Sequence, residues 1–346
     1  MRIGYHLTPF WSPTDRTPTR IIDEAIQVIG ASASMGFDWV SIGQHWMSAP
    51  SIWPQPFPFL ARIAPETGDM WLKTSMLLLP LLNPVDVAEN VATLDHITHG
   101  RLVVGVAIGY REDELRAVGL TRRDRVAKFE ESIALMRQLW SGDDTSFEGQ
   151  YTRVPIGKMG FTTLQRPNPA IEIGAQSRLA AVRAARIADG VFFGPQVAWN
   201  DVARLAEIYR QSRASAGRPG AGALGASRSL MVGKSKEDAG RLATQYLDKT
   251  FRMYNTWQMQ ESSMVPLQLG AERSLDDWTI YGSPADCVET LLRARDEIGL
   301  NGIGFTIYSL PPDPAARVEY LQMIAEEIVA KVATPDAIYG RTVLTG

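Results

Sequence analysis

The sequence predicts an α/β fold in which eight parallel strands close into a (β/α)₈ barrel. Three observations indicate this fold: β-rich runs alternate with helical patterns, the strands are mostly apolar, and eight strand–helix units occur along the chain. Strands that alternate with helices form parallel sheets, and strands covered on both faces are almost continuously apolar. Eight such units closing on themselves form the barrel, and an open doubly wound sheet is the competing interpretation.

The strands are predicted where β-branched and aromatic residues lie between turn signals. They are Ile3–Leu7, Trp39–Ile42, Trp71–Leu79, Leu102–Ala107, Ala170–Gly174, Gly190–Phe193, Ser227–Val232 and Gly302–Ile307. Two stretches, Ser141–Leu164 and Phe251–Thr279, are longer than ordinary connections, so we expect insertions after the fourth and seventh strands. No composition shift marks a second domain, and we expect residues 1–346 to form a single domain.

Capping residues predict where the helices begin and end. Asn83 caps the helix after the third strand, Pro84 occupies its first position, and Gly100 follows its end. Ser235 with Asp238 forms a capping signature for a later helix. Further helices are predicted at Pro18–Met35, Ser177–Ala188 and Asn200–Ala216, and after Ser283-Pro284 and Asp313-Pro314.

The composition excludes several classes of protein. The 346 residues are 45% hydrophobic and 21% charged, with a formal net charge of −3, so no broad basic surface for nucleic acid or an acidic membrane is expected. A single cysteine, Cys287, excludes an internal disulfide framework and a multi-thiolate metal site. The N-terminus lacks the apolar run of a signal peptide, and the longest apolar stretch, Met76–Leu82, is too short to span a bilayer. We therefore expect a cytoplasmic protein.

Histidines provide candidate catalytic and metal-binding groups. In a barrel the active site lies at the C-terminal ends of the strands, and His45 follows the second strand. It can act there as acid, base or hydrogen-bond donor, although it can also be an ordinary loop residue. His6 ends the first strand, where we expect a structural role. His96 and His99 have a spacing that could bind metal, but no third ligand cluster accompanies them, so we expect no metal site.

The end of the fifth strand resembles a phosphate site. Gly174-Ala175-Gln176-Ser177 leads directly into a helix, and backbone amides at a helix N-terminus suit a phosphate. The alternative is a serine N-cap without a ligand. No G-x-x-x-x-G-K-[ST] motif occurs, and the G-x-G-x-x-G run at Gly220–Gly225 follows a predicted helix and precedes a strand, so neither a dinucleotide-binding unit nor an NTPase loop is indicated.

Several segments together resemble a known family. Thr74–Gly119 contains an apolar strand, an Asn-Pro helix start, a Gly-Arg-Leu strand start and a G-x-x-x-x-E segment. Four further segments extend the match over almost the whole chain: Phe147–Tyr151, Arg166-Pro167, Ile171–Gly190 and Tyr281–Ala294. In combination they resemble the bacterial luciferase-like family of flavin-dependent monooxygenases. The resemblance implies a barrel of the luciferase type that uses reduced FMN.

The resemblance also implies roles for individual residues. His45 corresponds to the histidine beside the flavin ring, although Gln44 and Trp46 stand where the family often has an acid and a second histidine. Ser75-Met76 corresponds to a non-proline cis peptide that presses on the isoalloxazine, so we expect this peptide to be cis.

Further positions correspond to flavin contacts in the family. Ala107 replaces a reactive cysteine of luciferase, Ile108 replaces an arginine that reaches the phosphate, and Tyr110 lines the flavin. Because Ile108 cannot bind a phosphate, we expect other groups to do so. These are Arg111 and the segment Ala175, Gln176 and Ser177.

The reaction that the resemblance implies begins with reduced flavin and O₂, which form a C(4a)-peroxyflavin that oxygenates a small organic substrate. A separate flavin reductase would deliver the reduced flavin, because the sequence has no recognisable nicotinamide-binding unit. We also expect a homodimer. Aromatic residues in two loops favour an apolar substrate, or alternatively pack only a lid and a dimer contact. They are Trp46, Trp53, Phe57, Tyr254 and Trp257.

Three other functions stay open. The fold also serves oxidoreductases that use a deazaflavin, and a non-catalytic flavin-binding protein is possible. A sugar isomerase or aldolase barrel would need a carboxylate–metal set or a Schiff-base lysine, and Lys73 lies inside a strand. We favour FMN over deazaflavin, whose tail is acidic. In the segments Gly43–Leu60 and Phe251–Asp277, expected at the barrel mouth, Arg252 and Arg273 are the only basic residues, against four acidic ones.

Overall fold

The computed structural model describes residues 1–7, 10–11, 17–49, 51–256, 274–307, 309–334 and 342–343, and the predicted barrel is confirmed. Its strands are β1 (Arg2–Leu7), β2 (Trp39–Ile42), β3 (Trp71–Leu78), β4 (Leu102–Ala107), β5 (Ala170–Ala175), β6 (Gly190–Phe193), β7 (Ala223–Val232) and β8 (Gly302–Thr306). Each strand is parallel to the next, and β8 pairs with β1, which closes the barrel. The open doubly wound sheet is thereby excluded.

Helices connect the strands around the barrel. They are α1 (Pro18–Ser32), α2 (Pro56–Ile63), α3 (Pro84–Ile97), α4 (Glu112–Ala117), α5 (Arg125–Trp140), α6 (Arg178–Ile187), α7 (Trp199–Ser215), α8 (Lys236–Thr256), α9 (Pro284–Arg293), α10 (Pro314–Ile324) and α11 (Ala330–Val332). Short π-helical turns at Ala294–Ile298 and Ala325–Val329 extend α9 and α10. The predicted caps are confirmed: Asn83 Oδ1 accepts from the Val85 amide at 2.9 Å, and Ser283 forms a capping box with Asp286.

Smaller strands lie outside the barrel. Thr145–Glu148 and Arg153–Gly157 form an antiparallel hairpin within the first long connection. Phe10–Trp11 pairs with Ser51–Ile52, and Gln165–Arg166 pairs with Thr342–Val343, both antiparallel. Thr279–Gly282 extends the sheet in parallel beside the end of β7. Residues 257–273 of the second long connection lie outside the described part of the chain.

The barrel interior contains a buried ion pair. Lys73 on β3 meets Glu172 on β5, and their side chains are 4% and 5% exposed. The Lys73 ammonium also lies 3.6 Å from the centroid of the Phe192 ring on β6. Burial lowers the pKa of Lys73 and raises that of Glu172, while the charge of each partner acts in the opposite direction. Two charged groups are therefore held in the core of the barrel by each other.

Close packing surrounds this pair. Trp39 on β2 covers Gly4 on β1, where any Cβ atom would overlap the indole ring. Trp39, Lys73, Glu172 and Phe192 line a small cavity at the N-terminal ends of the strands. This lower part of the barrel is thus occupied mainly by large side chains from β2, β3, β5 and β6.

The single cysteine and His96, near the end of α3, have structural surroundings, while His99 lies beyond the helix end at Ile97. Cys287 is fully buried, and burial, with a smaller contribution from Asp286, raises the pKa of its thiol to about 12. His96 Nε2 lies 3.0 Å from the Thr162 carbonyl oxygen. Within the described ranges, no three His, Cys, Asp or Glu side chains are grouped so as to hold a metal ion. None of the helices described is both long and apolar enough to cross a membrane.

Replacing Glu172 with Gln should destabilise the barrel by about 3–5 kcal/mol, because Lys73 would lose the counter-charge for its buried ammonium group. The double variant Lys73→Met/Glu172→Leu removes both charges and should recover most of that loss. Urea unfolding followed by circular dichroism measures both free energies. Equal losses in the single and the double variant would show that packing, rather than charge, dominates here.

Candidate active site

A cleft of about 1270 Å³ opens at the C-terminal ends of the barrel strands. His6, Phe192, Ser227 and Thr306 contribute to it from inside the barrel. Ten of the residues singled out in the sequence also line this cleft. They are His45, Trp53, Ser75, Met76, Ala107, Ile108, Tyr110, Ala175, Gln176 and Ser177. These ten residues come from the ends of four strands, β2, β3, β4 and β5, which meet in one place as the barrel geometry requires.

The Ser75–Met76 segment forms a bulge in the cleft wall. The peptide between these residues is cis, as we expected. The pairing of β3 with β4 shifts register between Thr74 and Leu77. A Cβ atom on Gly105 would overlap the Thr74 carbonyl, and one on Gly43 would lie 3.0 Å from the Ser75 oxygen. A glycine is therefore needed at position 105 on β4, and Gly43, directly after β2, leaves room for the bulge on its other side.

His45 is held by a carboxylate that comes from a distant part of the chain. Its Nδ1 lies 3.0 Å from Glu114 Oε1, and Glu114 is 1% exposed. The same carboxylate oxygen accepts from the Trp46 backbone N–H at 2.9 Å and from Arg111 Nη1 at 3.4 Å. Glu114 therefore fixes the orientation of the imidazole ring and of the loop that carries it. The sequence signal for Glu114 is its position as the last residue of the G-x-x-x-x-E segment, which does not by itself indicate a contact with His45.

Gln44 has a neutral bonding pattern that an acid would not reproduce. Its Oε1 accepts from the Leu78 amide at 2.9 Å, and its Nε2 donates to Gln55 Oε1 at 3.1 Å. The amide thus ties the end of β2 to the end of β3. The negative charge next to His45 comes instead from Glu114.

Some expected site residues lie elsewhere. Arg111 is not among the residues that line the cleft, because its guanidinium donates to the carbonyl oxygens of Trp46, at 2.7 Å, and Met47, at 3.4 Å. Trp46 packs beside the Leu78 cluster and Phe57 packs against the main core, so neither lines the cleft. The side chain of Tyr254 and the whole of Trp257 lie outside the described residues.

The expected phosphate site at the start of α6 also contains an arginine that the sequence did not indicate. Ser177 caps α6, and its Oγ accepts from the Ala180 amide at 3.3 Å. Arg125, at the start of α5, lines the cleft together with Ser177 and Ala180, and its Nη1 donates to the Gly109 carbonyl at 2.9 Å. No sequence signal indicated Arg125, because a helix separates it from the end of β4.

His6 contributes a neutral polar group to the cleft. Its Nδ1 lies 3.0 Å from Ser41 Oγ. Burial, and secondarily the charge of Lys73, lower the pKa of His6 to about 4. The imidazole is therefore uncharged at neutral pH.

Comparison with known proteins identifies the family. The model of the luciferase-like monooxygenase family matches residues 1–301, and the chain belongs to this family. An F420-dependent glucose-6-phosphate dehydrogenase of Nakamurella multipartita is 34% identical over 182 residues, covering 50% of this chain and 51% of that protein. An FMNH(2)-dependent dimethylsulfone monooxygenase of Pseudomonas putida is 35% identical over 125 residues, covering 35% and 34%. The matches thus span about half or less of these relatives.

The overall fold is similar to that of solved structures. The monooxygenase RslO1 from Streptomyces bottropensis superimposes with a TM-score of 0.84 at 22% identity, covering 96% of this chain and 100% of that one. An F420-dependent secondary alcohol dehydrogenase gives a TM-score of 0.76 at 17% identity, covering 96% and 99%. At these identities the similarity concerns the fold.

Replacing Glu114 with Ala should destabilise the protein by at least about 2 kcal/mol, because buried donors on Arg111 and Trp46 lose a charged acceptor. Glu112→Ala on the same helix is the matched control, since Glu112 forms an exposed ion pair with Arg116 and should cost less than about 1 kcal/mol. Chemical denaturation of both variants measures the difference. Similar losses would mean that the Glu114 contacts add little to stability.

Proposed function

We propose that this protein is a flavin-dependent monooxygenase that uses reduced FMN and O₂ to oxygenate a small, apolar organic substrate. The observation that carries the proposal is the buried His45–Glu114 pair in the same cleft as the Ser75–Met76 bulge. A proton-transfer group and a shaped wall for a planar ring thereby share one site.

The residues of the cleft fit a flavin. Gly43, Gly105 and Gly174 keep the neighbourhood of the bulge free of side chains, which suits the close approach of a flat ring. Trp53 Nε1 is buried in the cleft wall and has no acceptor among the described residues, so it could donate to a ligand. The first turn of α6 and Arg125 suit the phosphate. When bound, the reduced flavin supplies the electrons that activate O₂.

In this proposal His45 is the group that accepts a proton from, or donates one to, the bound ligand. Because Nδ1 is engaged by Glu114, Nε2 is the ring nitrogen through which His45 would act on a ligand. The carboxylate of Glu114 stabilises the imidazolium that forms when His45 accepts a proton, and it holds the ring in one orientation. His6 is a poor proton acceptor at neutral pH, because its pKa of about 4 makes it a weak base.

The surroundings of His45 favour an apolar substrate. Trp53 and Tyr110 contact the imidazole edge-on, with ring centroids 5.0 and 5.7 Å away. Met76 and Leu78 add further apolar surface to the cleft. Such walls exclude water and bind apolar groups, while the few polar atoms orient the ligand.

Two partners complete the proposal. A separate reductase would supply reduced FMN, as the name of the Pseudomonas putida relative, an FMNH(2)-dependent enzyme, also suggests. We further propose that the protein acts in the cytoplasm as a homodimer.

Deazaflavin-dependent hydride transfer is the second candidate, because one relative is an F420-dependent dehydrogenase. FMN is favoured by the segment Gly43–Leu60, which contributes His45 and Trp53 to the cleft wall and contains no lysine or arginine. An acidic tail would therefore meet no lysine or arginine of this segment.

Titration with FMN, anaerobically reduced FMN and coenzyme F420 should show the tightest binding for reduced FMN, because the acidic F420 tail meets no basic residue along Gly43–Leu60. Oxygen uptake with reduced FMN should then become coupled to substrate oxidation when apolar candidates are added. Tight binding of F420 with negligible binding of FMN would assign the protein to the hydride-transfer branch. Binding of neither cofactor would refute both candidates.

Replacing His45 with Ala should lower substrate oxygenation by about 10²–10⁴-fold, the usual effect of losing a positioned proton-transfer group. Affinity for reduced FMN should stay within a few-fold of wild type, because the proposed phosphate contacts lie on other strand ends. His6→Ala is the control for loss of an imidazole in the same cleft, and it should affect the rate less. Turnover within about threefold of wild type in His45→Ala would leave His45 without a catalytic role.

A further inference from the structure

Arg228 is a fully buried arginine directly behind the cleft wall. It lies on β7, and its side chain is 0% exposed. Its Nη1 donates to the carbonyl oxygens of Ser227, at 2.7 Å, and Gly194, at 3.2 Å. Its Nη2 donates to the Val197 carbonyl at 2.9 Å, and its guanidinium carbon lies 4.0 Å from the centroid of the Trp199 ring. The guanidinium thus binds carbonyl groups and an aromatic face.

No carboxylate neutralises this group within the described part of the chain. No ion pair within 4.0 Å involves Arg228 there, and its Nε has no acceptor. Burial lowers the pKa of Arg228 to about 9, which still leaves it charged at neutral pH. The carbonyl groups neutralise the Arg228 charge only in part. Because little solvent lies around this charge to screen it, the charge attracts an anionic group of a ligand in the nearby cleft.

The segment that Arg228 holds belongs to the cleft. Gly194, Pro195 and Gln196 follow β6 and line the cleft. Gln176 Nε2 donates to Gln196 Oε1 at 3.3 Å, and a Cβ atom on Gly194 would lie 2.9 Å from both of these side-chain atoms. Gly194–Val197 therefore packs tightly against the strand end that leads into the Ser177 helix start. Any displacement of these carbonyl groups would move that wall.

We infer that Arg228 is a specificity-determining residue that makes the cleft prefer a ligand with a phosphate group over the same ligand without one. It acts without touching the ligand, through its buried charge and through the conformation of Gly194–Val197. The inference rests on the proposed function for the identity of the ligand, FMN, whose unphosphorylated counterpart is riboflavin.

The chain provides a matched control in Arg213 on α7. This arginine is also buried, at 7% exposed, and it donates to three carbonyl oxygens, those of Ala188, Gly220 and Pro219, each at 3.1 Å. These carbonyl groups directly precede β6 and β7. Arg213 therefore binds the loops at the N-terminal ends of the strands, opposite the cleft. It shares the construction of the Arg228 site but not its location.

The test compares Arg228→Gln, Arg228→Lys and Arg213→Gln with wild type in anaerobic titrations of the protein fluorescence with reduced FMN and reduced riboflavin, at low and at moderate salt. For Arg228→Gln the affinity for FMN should fall by about tenfold or more, while that for riboflavin stays within about threefold. For Arg213→Gln the ratio of the two affinities should match wild type, even if the protein is less stable. Titrated at about pH 6, where a buried lysine more readily keeps its proton, Arg228→Lys retains a charge and should retain most of the preference for FMN while weakening both flavins through the altered segment.

Each outcome bears on one of the two proposals. Equal losses for FMN and riboflavin in Arg228→Gln leave the ratio of the two affinities unchanged, and this result would overturn the inference and make Arg228 a structural residue only. If Arg228→Gln does not fold, loss of the FMN preference in a folded Arg228→Lys protein would contradict the part assigned to the charge, and its retention would support it. Wild-type protein that binds neither flavin would refute the proposed function, and the inference with it.

Discussion

The packing inside the barrel determines where a ligand can bind. Eight closed strands enclose a space that side chains must fill, and here Trp39, Phe192 and the Lys73–Glu172 pair fill the lower part. Phe192 borders both the lower cavity and the cleft, so it marks the level at which the large side chains end. Above that level the interior positions carry His6 and small residues such as Ser227 and Thr306. The cleft forms above Phe192 because the interior side chains beyond that level are too small to occupy the barrel.

The same packing explains where the sequence predicted the strands well and where it did not. Apolar runs bounded by capping residues placed β1 to β6 within about one residue. The seventh strand begins at Ala223, four residues earlier than predicted. The sequence-based start was too late because Gly222 and Gly225 are typical of a turn. In the barrel Gly225 lies opposite Phe192, and a Cβ atom there would lie 2.5 Å from the Phe192 ring. A glycine that indicates a turn locally can thus provide space in a packed interior, and only the fold distinguishes the two.

The site was predictable where it consists of residues that directly follow a strand. His45, Ser75–Met76 and the Ala175–Ser177 segment line the cleft because strand ends converge in a closed barrel. Glu114 was not assigned a part, since the contact that defines it joins residues 69 positions apart. Arg125 reaches the cleft from the start of α5 beyond an intervening helix. Such contacts depend on how helices pack on the barrel, which spacing along the chain does not encode.

Arginine was the residue type for which sequence reasoning was least successful, and the structure shows a physical reason. A barrel has many short connections whose carbonyl groups lack partners in regular structure, and the guanidinium group offers five donors in a fixed fork. Arg111, Arg213 and Arg228 each donate to two or three backbone carbonyls. An arginine near a strand end is therefore as well suited to fixing a loop as to binding a phosphate. Arg228 fixes a loop of the cleft, and no carboxylate among the described residues neutralises its charge. One arginine can then both order the loop and favour a bound phosphate, because the loop and the proposed phosphate site belong to the same wall of the cleft.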